Sequence, residues 1–469
     1  MAYIKFHRGS HQIGGSCTEL CCGNERILID LGSNLPGTDE ESPISDKELI
    51  KTVFDGETKY SAILFTHYHG DHYGLYKNIP RDIPIYSDIP MYIGKTAKDI
   101  LGIVTEYIDI NAEIKGKELI DSLKTYTPDQ PLKIRDIKNI KIIPIQADHS
   151  ALDAYMFYIE MAGKRILYTG DFRTHGISSE QDVFWDYIKS GVIPSEIDIL
   201  ITEGTMLSRE EEARKNTINT EDDLGKAAAG AFTERPYNFV MVSSTNLDSV
   251  MEFYHNTPDN LRFVCDIYQY SVMCKAMQGK GDHNEKYRPR KDNITNKVHV
   301  LFEKYNDKIG RIIDDNKKKG LKLYATRVAP DHEYEEIKDG FVMLVRPNHY
   351  PKTGKNRFEK AIDHFSNLDE SKVQIIYSMW EGYLEGKDKE DPAITAFLGS
   401  HKRKTLHVSG HAYSQDIHRL IQALNPKVIV PMHTEMADEM QKMDMFKDFN
   451  IKTLRDEENI LDLDDMEVR

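Results

Sequence analysis

The stretch Thr66-His67-Tyr68-His69-Gly70-Asp71-His72 holds three histidines and an aspartate within seven residues. The last histidine lies five positions after the first, and four of those six positions, His67, His69, Asp71 and His72, can bind a metal. Neutral imidazole nitrogen with carboxylate oxygen is the ligand set of zinc or manganese rather than of calcium or an iron–sulfur cluster. A structural zinc site would favour cysteine and be closed by four ligands, so the composition points to reaction chemistry. The residues before the cluster, Ser61-Ala62-Ile63-Leu64-Phe65, are mostly apolar and read as a buried strand. Gly70 allows a sharp turn directly after it. Such a turn presents its side chains at a sheet edge, where metals and substrates sit in layered α/β proteins.

The same device recurs along the chain. Residues 1 to about 31 read as three short strands, the last ending at Asp30. Ile140 to Ile145 delivers His149. Tyr155 to Met161 and Arg165 to Thr169 form a hairpin around Ala162-Gly163-Lys164 and deliver Asp171. Ile197 to Thr202 delivers Glu203. One acid after a strand is usually a turn former. Five ligand-capable residues at successive strand ends (Asp30, His67, His149, Asp171 and Glu203) argue that one sheet edge is a reaction site. Between these strands, a helix is expected over Asp71 to Ile79, a strand over Ile83 to Tyr86, and helices from about Ile89 to Ile100 and over 105 to 125.

From about Gly204 the texture changes to alternating helices and strands, the pattern of a separate α/β unit with a parallel sheet. Its expected elements include helices over Asp222 to Glu234 and Leu247 to His255, and strands over Asn238 to Ser243, Phe341 to Val345 and Val373 to Tyr377. Ser243-Ser244-Thr245-Asn246 lies between a strand and a helix, where a phosphate cradle and a plain helix cap are both open readings. Near His401 the first texture returns. Thr405 to Val408 leads to Ser409-Gly410-His411, and Val428 to Val430 leads to Pro431-Met432-His433, before a tail of one helix and two short strands. If the strand ends on both sides share one site, the middle is an insertion that leaves the first domain and comes back to it.

At 469 residues the chain is too long for one simple core, and 40% apolar with 29% charged residues is ordinary for a globular protein. No apolar run approaches the ~20 residues that span a bilayer, and the start carries no secretory h-region. The five cysteines form no CxxC pair and read as reduced thiols of a cytoplasmic protein. The net charge of −15 is unevenly spread. Gly204 to Leu406 carries 33 basic and 32 acidic residues, and within it Arg262 to Pro330 carries 16 against 8. The middle segment is therefore the expected place for a polyanion, against the plain alternative of a solvated charge run.

Asp30, the His67-x-His69-x-Asp71-His72 cluster, His149, Asp171 and His433 resemble the ordered motifs of the metallo-β-lactamase fold. Glu203, Ser409-Gly410-His411 and Pro431-Met432-His433 resemble the further motifs of its β-CASP nuclease branch, and Leu406-His407-Val408-Ser409-Gly410-His411 is especially similar to ribonuclease J. The 22-residue gap from His411 to His433 fits that pattern. Two departures stand out. The chain ends 36 residues after His433, so a short form without the extra C-terminal domain of ribonuclease J is expected. Met379-Trp380-Glu381-Gly382-Tyr383 occupies a place where the family has a small Gly/Ser-rich loop.

The resemblance implies an αββα metallo-β-lactamase sandwich with an inserted β-CASP α/β domain. The implied divisions are 1–203 and 405–469 for the sandwich and 204–404 for the insertion. Two zinc ions are implied, with manganese as the alternative. His67, His69 and His149 would hold one ion, Asp71, His72 and His433 the other, and Asp171 would bridge. Asp30 would orient the site from behind the ligands, and Glu203 would orient His411, the proton donor to the leaving oxygen. Ser244, Asn246 and Ser409 are candidate phosphate contacts. The implied function is a ribonuclease that cleaves single-stranded RNA with a metal-bound hydroxide, as 5′-exonuclease or endonuclease, the family histidine at position 433 going with RNA-acting members. The assembly considered is a homodimer. The alternatives are a metallo-hydrolase acting on DNA or on a small ester or thioester, and a scaffold without catalysis. His175, His349, His401 and His407 match no motif.

Overall fold

The computed structural model describes every residue except 36–41, 108–113, 178–182, 211–216, 281–284, 291–297, 302–324, 329, 348–354, 385–390 and 400. His349 lies outside the described residues, as does much of the basic stretch 262–330. The chain divides into two compact units, one made of Met1–Thr217 and Gly410–Arg469, the other of Ile218–Ser409.

The first unit begins with strands β1 (Ala2–Arg8), β2 (Cys17–Cys22), β3 (Glu25–Ile29), β4 (Ala62–Leu64), β5 (Met91–Ile93) and β6 (Lys124–Thr125). Next come β7 (Ile140–Ala147), β8 (Ala154–Met161), β9 (Lys164–Tyr168) and β10 (Ile199–Glu203). The second unit holds β11 (Tyr237–Val242), β12 (Arg262–Asp266), β13 (Val298–Leu301), β14 (Ala325–Val328), β15 (Phe341–Val345), β16 (Val373–Ser378) and β17 (Arg403–Thr405). The return segment adds β18 (Val428–Met432), β19 (Leu461–Asp462) and β20 (Glu467–Val468) to the first unit.

Two sheets make the first unit. One runs β20-β19-β1-β2-β3-β4-β5-β6 and the other β18-β10-β9-β8-β7. Alternation along the strands sends Ile4, Phe6, Ile27, Ile29 and Leu64 of the first sheet and Phe157, Ile159, Ile166, Ile201 and Val430 of the second into one buried core, so the sheets pack face to face. The other face of the second sheet, with Met156, Tyr158, Leu167, Leu200 and Ile429, is covered by Ile417, Leu420, Ile421 and Leu424 of helix Ser414–Leu424. Those four positions have the i, i+3, i+4, i+7 spacing of one helical face. The helix Asp46–Val53 is closed at its start by a capping box between Ser45 and Glu48. This is the expected αββα sandwich.

The β8–β9 hairpin turns through Ala162 and Gly163, both at positive φ (50° and 73°), as a two-residue reversal requires. Other local expectations change. Ile83 to Tyr86 is not a strand: Pro84 lacks a ladder N–H and opens a 3₁₀ turn, Pro84–Tyr86. The strand is β5, inside the stretch expected to be helical, and the helix Lys95–Tyr107 starts after it. Past Leu424 the described residues contain a 3₁₀ turn, Met440–Lys442, in place of the expected tail helix.

The second unit is a seven-stranded sheet in the order β14-β13-β12-β15-β11-β16-β17, with every neighbouring pair parallel. Its inner strands are buried runs such as Phe341-Val342-Met343-Leu344-Val345, as parallel sheets require, while the edge strand β17 is exposed.

Candidate metal centre

Four short backbone hydrogen bonds build the floor of the site. Strand β4 ends at Leu64 and the chain turns through the helical turn Gly70–Tyr73. The Leu31 N–H donates to the His72 carbonyl, Ser33 N–H to Gly70 and Ser16 N–H to Asp71, while Gly32 N–H donates to Ser16. Gly32 lies so close to this turn that a Cβ there would come 1.7 Å from the Asp71 carbonyl oxygen. The β3 and β4 ends are thus locked in register at the one place where Asp30 must meet the histidines.

Asp30 is fully buried at a φ of 61°, a conformation that costs an aspartate strain. Its Oδ1 accepts the Thr66 N–H (2.8 Å), and its Oδ2 accepts the Thr66 hydroxyl (2.9 Å) and His72 Nδ1–H (2.8 Å). With Nδ1 so held, His72 turns Nε2 inward, 3.1 Å from Asp171 Oδ2. His149 is fixed the same way: Nδ1–H donates to the Gly410 carbonyl (2.7 Å), and Nε2 faces His69 Nδ1 at 3.2 Å. Fixing the outer nitrogen to an acceptor leaves the inner lone pair free for a ligand.

Asp171 is the hub. Its Oδ2 lies 3.9 Å from His67 Nε2, 4.0 Å from His149 Nε2 and 3.6 Å from His411 Nδ1, and its Oδ1 lies 3.6 Å from His433 Nδ1. His433 sits at a φ of 51° just past β18; its Nε2 accepts the Gly14 N–H (3.0 Å) and lies 3.4 Å from Asp71 Oδ2, and its Nδ1 pairs with the Thr205 hydroxyl (2.9 Å). Glu203, fully buried at the end of β10, accepts from Phe172 N–H (3.0 Å) and faces His411 Nδ1 at 3.1 Å. All of Asp30, His67, His69, Asp71, His72, His149, Asp171, Glu203, His411 and His433 therefore converge in the first unit.

The donor set suits metal ions. The ligand atoms of His67, His69 and His149 lie within 4.8 Å of one another, as do those of Asp71, His72 and His433. His67 Nε2 and Asp171 Oδ1 are buried without a hydrogen-bond partner among the described residues, a state that is costly unless something else satisfies them. Burial and neighbouring imidazoles push the pKa of His67 and His149 well down, and burial lowers His69 to about 4, so all three offer neutral nitrogen. Burial opposes charge on Asp171, yet His433, His72 and His411 outweigh it and hold the carboxyl well below its usual range. Burial likewise disfavours a charge on His411, but Glu203 and Asp171 prevail and raise its pKa.

Ser244, Asn246 and Ser409 belong to the second unit. Ser244 Oγ accepts from Gln269 Nε2 (3.3 Å), and Asn246 precedes helix Leu247–His255 without a side-chain cap bond. His175 stacks on Tyr413, with ring centroids 4.6 Å apart. The three short strands expected over residues 1 to about 31 are β1, β2 and β3, but the sequence reading did not single out the loop Gly9 to Gly15, which supplies the Gly14 N–H and, through the Gly9 carbonyl, an acceptor for the His433 N–H (2.6 Å). Buried Arg8 ties this loop down by donating to the Gly15 and Gly32 carbonyls. Gly9, Gly14 and Gly15 in seven residues were the signal, since all three adopt positive φ.

Residues 26–234 match the model of the β-lactamase superfamily domain, and residues 400–446 match that of the Zn-dependent metallo-hydrolase RNA specificity domain. An RNase J-like protein of Methanocaldococcus jannaschii is 29% identical over 207 residues, 44% of this chain and 43% of that protein. A cleavage and polyadenylation specificity factor subunit 3-II of Arabidopsis thaliana is 25% identical over 175 residues, 34% of this chain and 27% of the relative. The matches thus span less than half the length of these curated relatives. A crystal structure of a protein of unknown function from Enterococcus faecalis shares the fold over 97% of this chain and 98% of its own, with a TM-score of 0.64 at 17% identity. No helix among the described residues is long and apolar enough to cross a membrane.

Proposed function

The chain belongs to the metallo-β-lactamase-fold β-CASP nuclease family, and from that membership we propose that it is a metal-dependent ribonuclease hydrolysing phosphodiester bonds of single-stranded RNA. The observation that carries this reading is the pairing of Glu203 with His411 beside the Asp171 hub. Held on the return segment and oriented by that carboxylate, His411 can protonate a leaving alkoxide; an acyl ester expels an alkoxide too, so the preference for a phosphodiester is supported by the relatives named for RNA processing.

His67, His69 and His149 would hold one zinc or manganese ion, Asp71, His72 and His433 a second, and Asp171 would bridge them. Ions held there supply a water of lowered pKa and polarise the phosphoryl oxygens. Asp30 keeps His72 in the tautomer that faces Asp171, and the Gly410 carbonyl does the same for His149. Glu203 fixes the His411 ring, which would serve as proton donor to the departing 3′-oxygen. The relatives named for RNA processing favour RNA as the polymer.

The purified, zinc- or manganese-loaded chain should hydrolyse a phosphodiester reporter and leave an acyl-ester reporter untouched. Preferential hydrolysis of the acyl ester would favour the small-molecule reading. With 5′-labelled RNA, release of mononucleotides marks a 5′-exonuclease and internal fragments an endonuclease.

A further inference from the structure

The parallel sheet of the second unit carries a charge arrangement that the metal chemistry does not use. Asp266 ends β12 and is fully buried. Arg346 follows β15 and donates to Asp266 Oδ2 from both Nε (3.0 Å) and Nη2 (2.7 Å). Arg357, the first residue of helix Arg357–Asp369, brings Nη1 to 4.0 Å from the same oxygen. Two guanidinium groups therefore share one carboxylate, and one positive charge is left over. Both arginine side chains stay about one-fifth exposed, 20% and 21%, while the carboxylate is sealed off.

Two further atoms at this edge lack partners among the described residues: Arg357 Nε, and Ser378 Oγ at the end of β16. Ser378 is 1% exposed. The register Met241↔Val345 and Val242↔Ser378 sets the ends of β15, β11 and β16 level, and the β12–β15 pairing extends that edge to Asp266. The Arg346 guanidinium also lies 5.0 Å over the Tyr268 ring, which holds it flat. Flat, forked N–H donors at the carboxyl edge of a parallel sheet suit an oxyanion, and a guanidinium fork matches phosphate better than any other anion-binding side chain does. A purely structural ion pair would need only one arginine for the one aspartate, so the second guanidinium is left unexplained.

We propose that this edge is a phosphate-binding subsite in which Arg346 and Arg357, assisted by Ser378, hold one backbone phosphate of a single-stranded RNA. The identity of the ligand rests on the ribonuclease reading; the anion-binding geometry does not.

The test uses the full chain in chelator, so that binding is read without turnover. A labelled single-stranded RNA is titrated by fluorescence anisotropy at 50 and 200 mM salt, and melting curves report folding. Arg346→Gln/Arg357→Gln is expected to bind about tenfold more weakly, with a salt slope lower by about 0.7 for the lost phosphate contact. Asp266→Asn frees both guanidiniums and is expected to bind about threefold more tightly, a sign that general destabilisation does not produce. A folded double-arginine variant that binds like the wild type overturns the proposal, as does weaker binding by Asp266→Asn or no binding by the wild type. If the double variant does not fold, the sign of the Asp266→Asn change decides. Binding that depends on the arginines in a chain inert with metals retains the subsite and removes the ribonuclease reading. Metal-dependent cleavage with binding indifferent to the arginines does the reverse.

Discussion

Asp30 shows how much of the site lives in single residues. It touches none of the bonds to be broken, yet it accepts from both Thr66 donors and from His72, at the cost of full burial and a left-handed backbone. Asp30→Ala would loosen the His72 ring, leaving its Nδ1–H only the longer contact with the Thr66 hydroxyl (3.3 Å). Zinc affinity should fall by about 10–100-fold, the usual effect of losing a carboxylate behind a metal-binding histidine, as read by chelator competition. Unchanged affinity would mean that packing alone orients His72. At this scale the sequence was informative wherever a residue stood at the end of an apolar strand: Asp30, His149, Asp171 and Glu203 could all be singled out that way. It was silent about partners supplied by backbone, because the Gly14 N–H and the Gly410 carbonyl have no side-chain signature.

The elements are fastened by polar networks that no motif announces. On β1, buried His7 pairs with Glu19 of β2 (3.1 Å) and with Glu457 of the return segment, while Tyr60 also donates to Glu19 (3.2 Å). Burial opposes charge on all three, but their mutual pairing wins, raising the His7 pKa above 6.5, lowering Glu19 from 4.5 to about 2, and lowering Glu457. The raised histidine stabilises the fold below pH 6.5, and this is lost as pH rises through its folded pKa. The lowered acids stabilise it above pH 4.5, and this is lost as pH falls through theirs, toward about 2 for Glu19. Both contributions are complete between 4.5 and 6.5. His7→Gln should therefore destabilise by about 3 kcal/mol within that window, and the difference in thermal midpoint should narrow as the pH rises. A difference independent of pH would assign His7 to packing alone. Strong periodicity made helix Leu247–His255 and the β8–β9 hairpin legible, whereas β5 has only three residues and was absorbed into the helix that follows it. Its three residues show no period, and its pairing with β4 and β6 defines it.

Across the whole molecule, the sandwich is completed by residues far apart in the chain. β18 pairs with β10 in parallel register from Ile199↔Val428 to Glu203↔Met432, which sets Glu203 beside the strand that ends at His433. The return of the chain to the first unit, though not this strand pairing, could be inferred from ligand-capable strand ends recurring after residue 406, and the opening cluster of histidines does not identify the substrate by itself. The cluster offers a metal site; Glu203, His411 and His433 are the residues on which the proposal of a phosphodiester substrate rests. The most direct test of this account is cleavage of single-stranded RNA by the zinc- or manganese-loaded chain beside a His67→Ala/Asp71→Ala variant shown to be folded. The account predicts cleavage that requires the metal and falls to background in the variant. Cleavage that persists in the variant, or none by the loaded wild type, would contradict it.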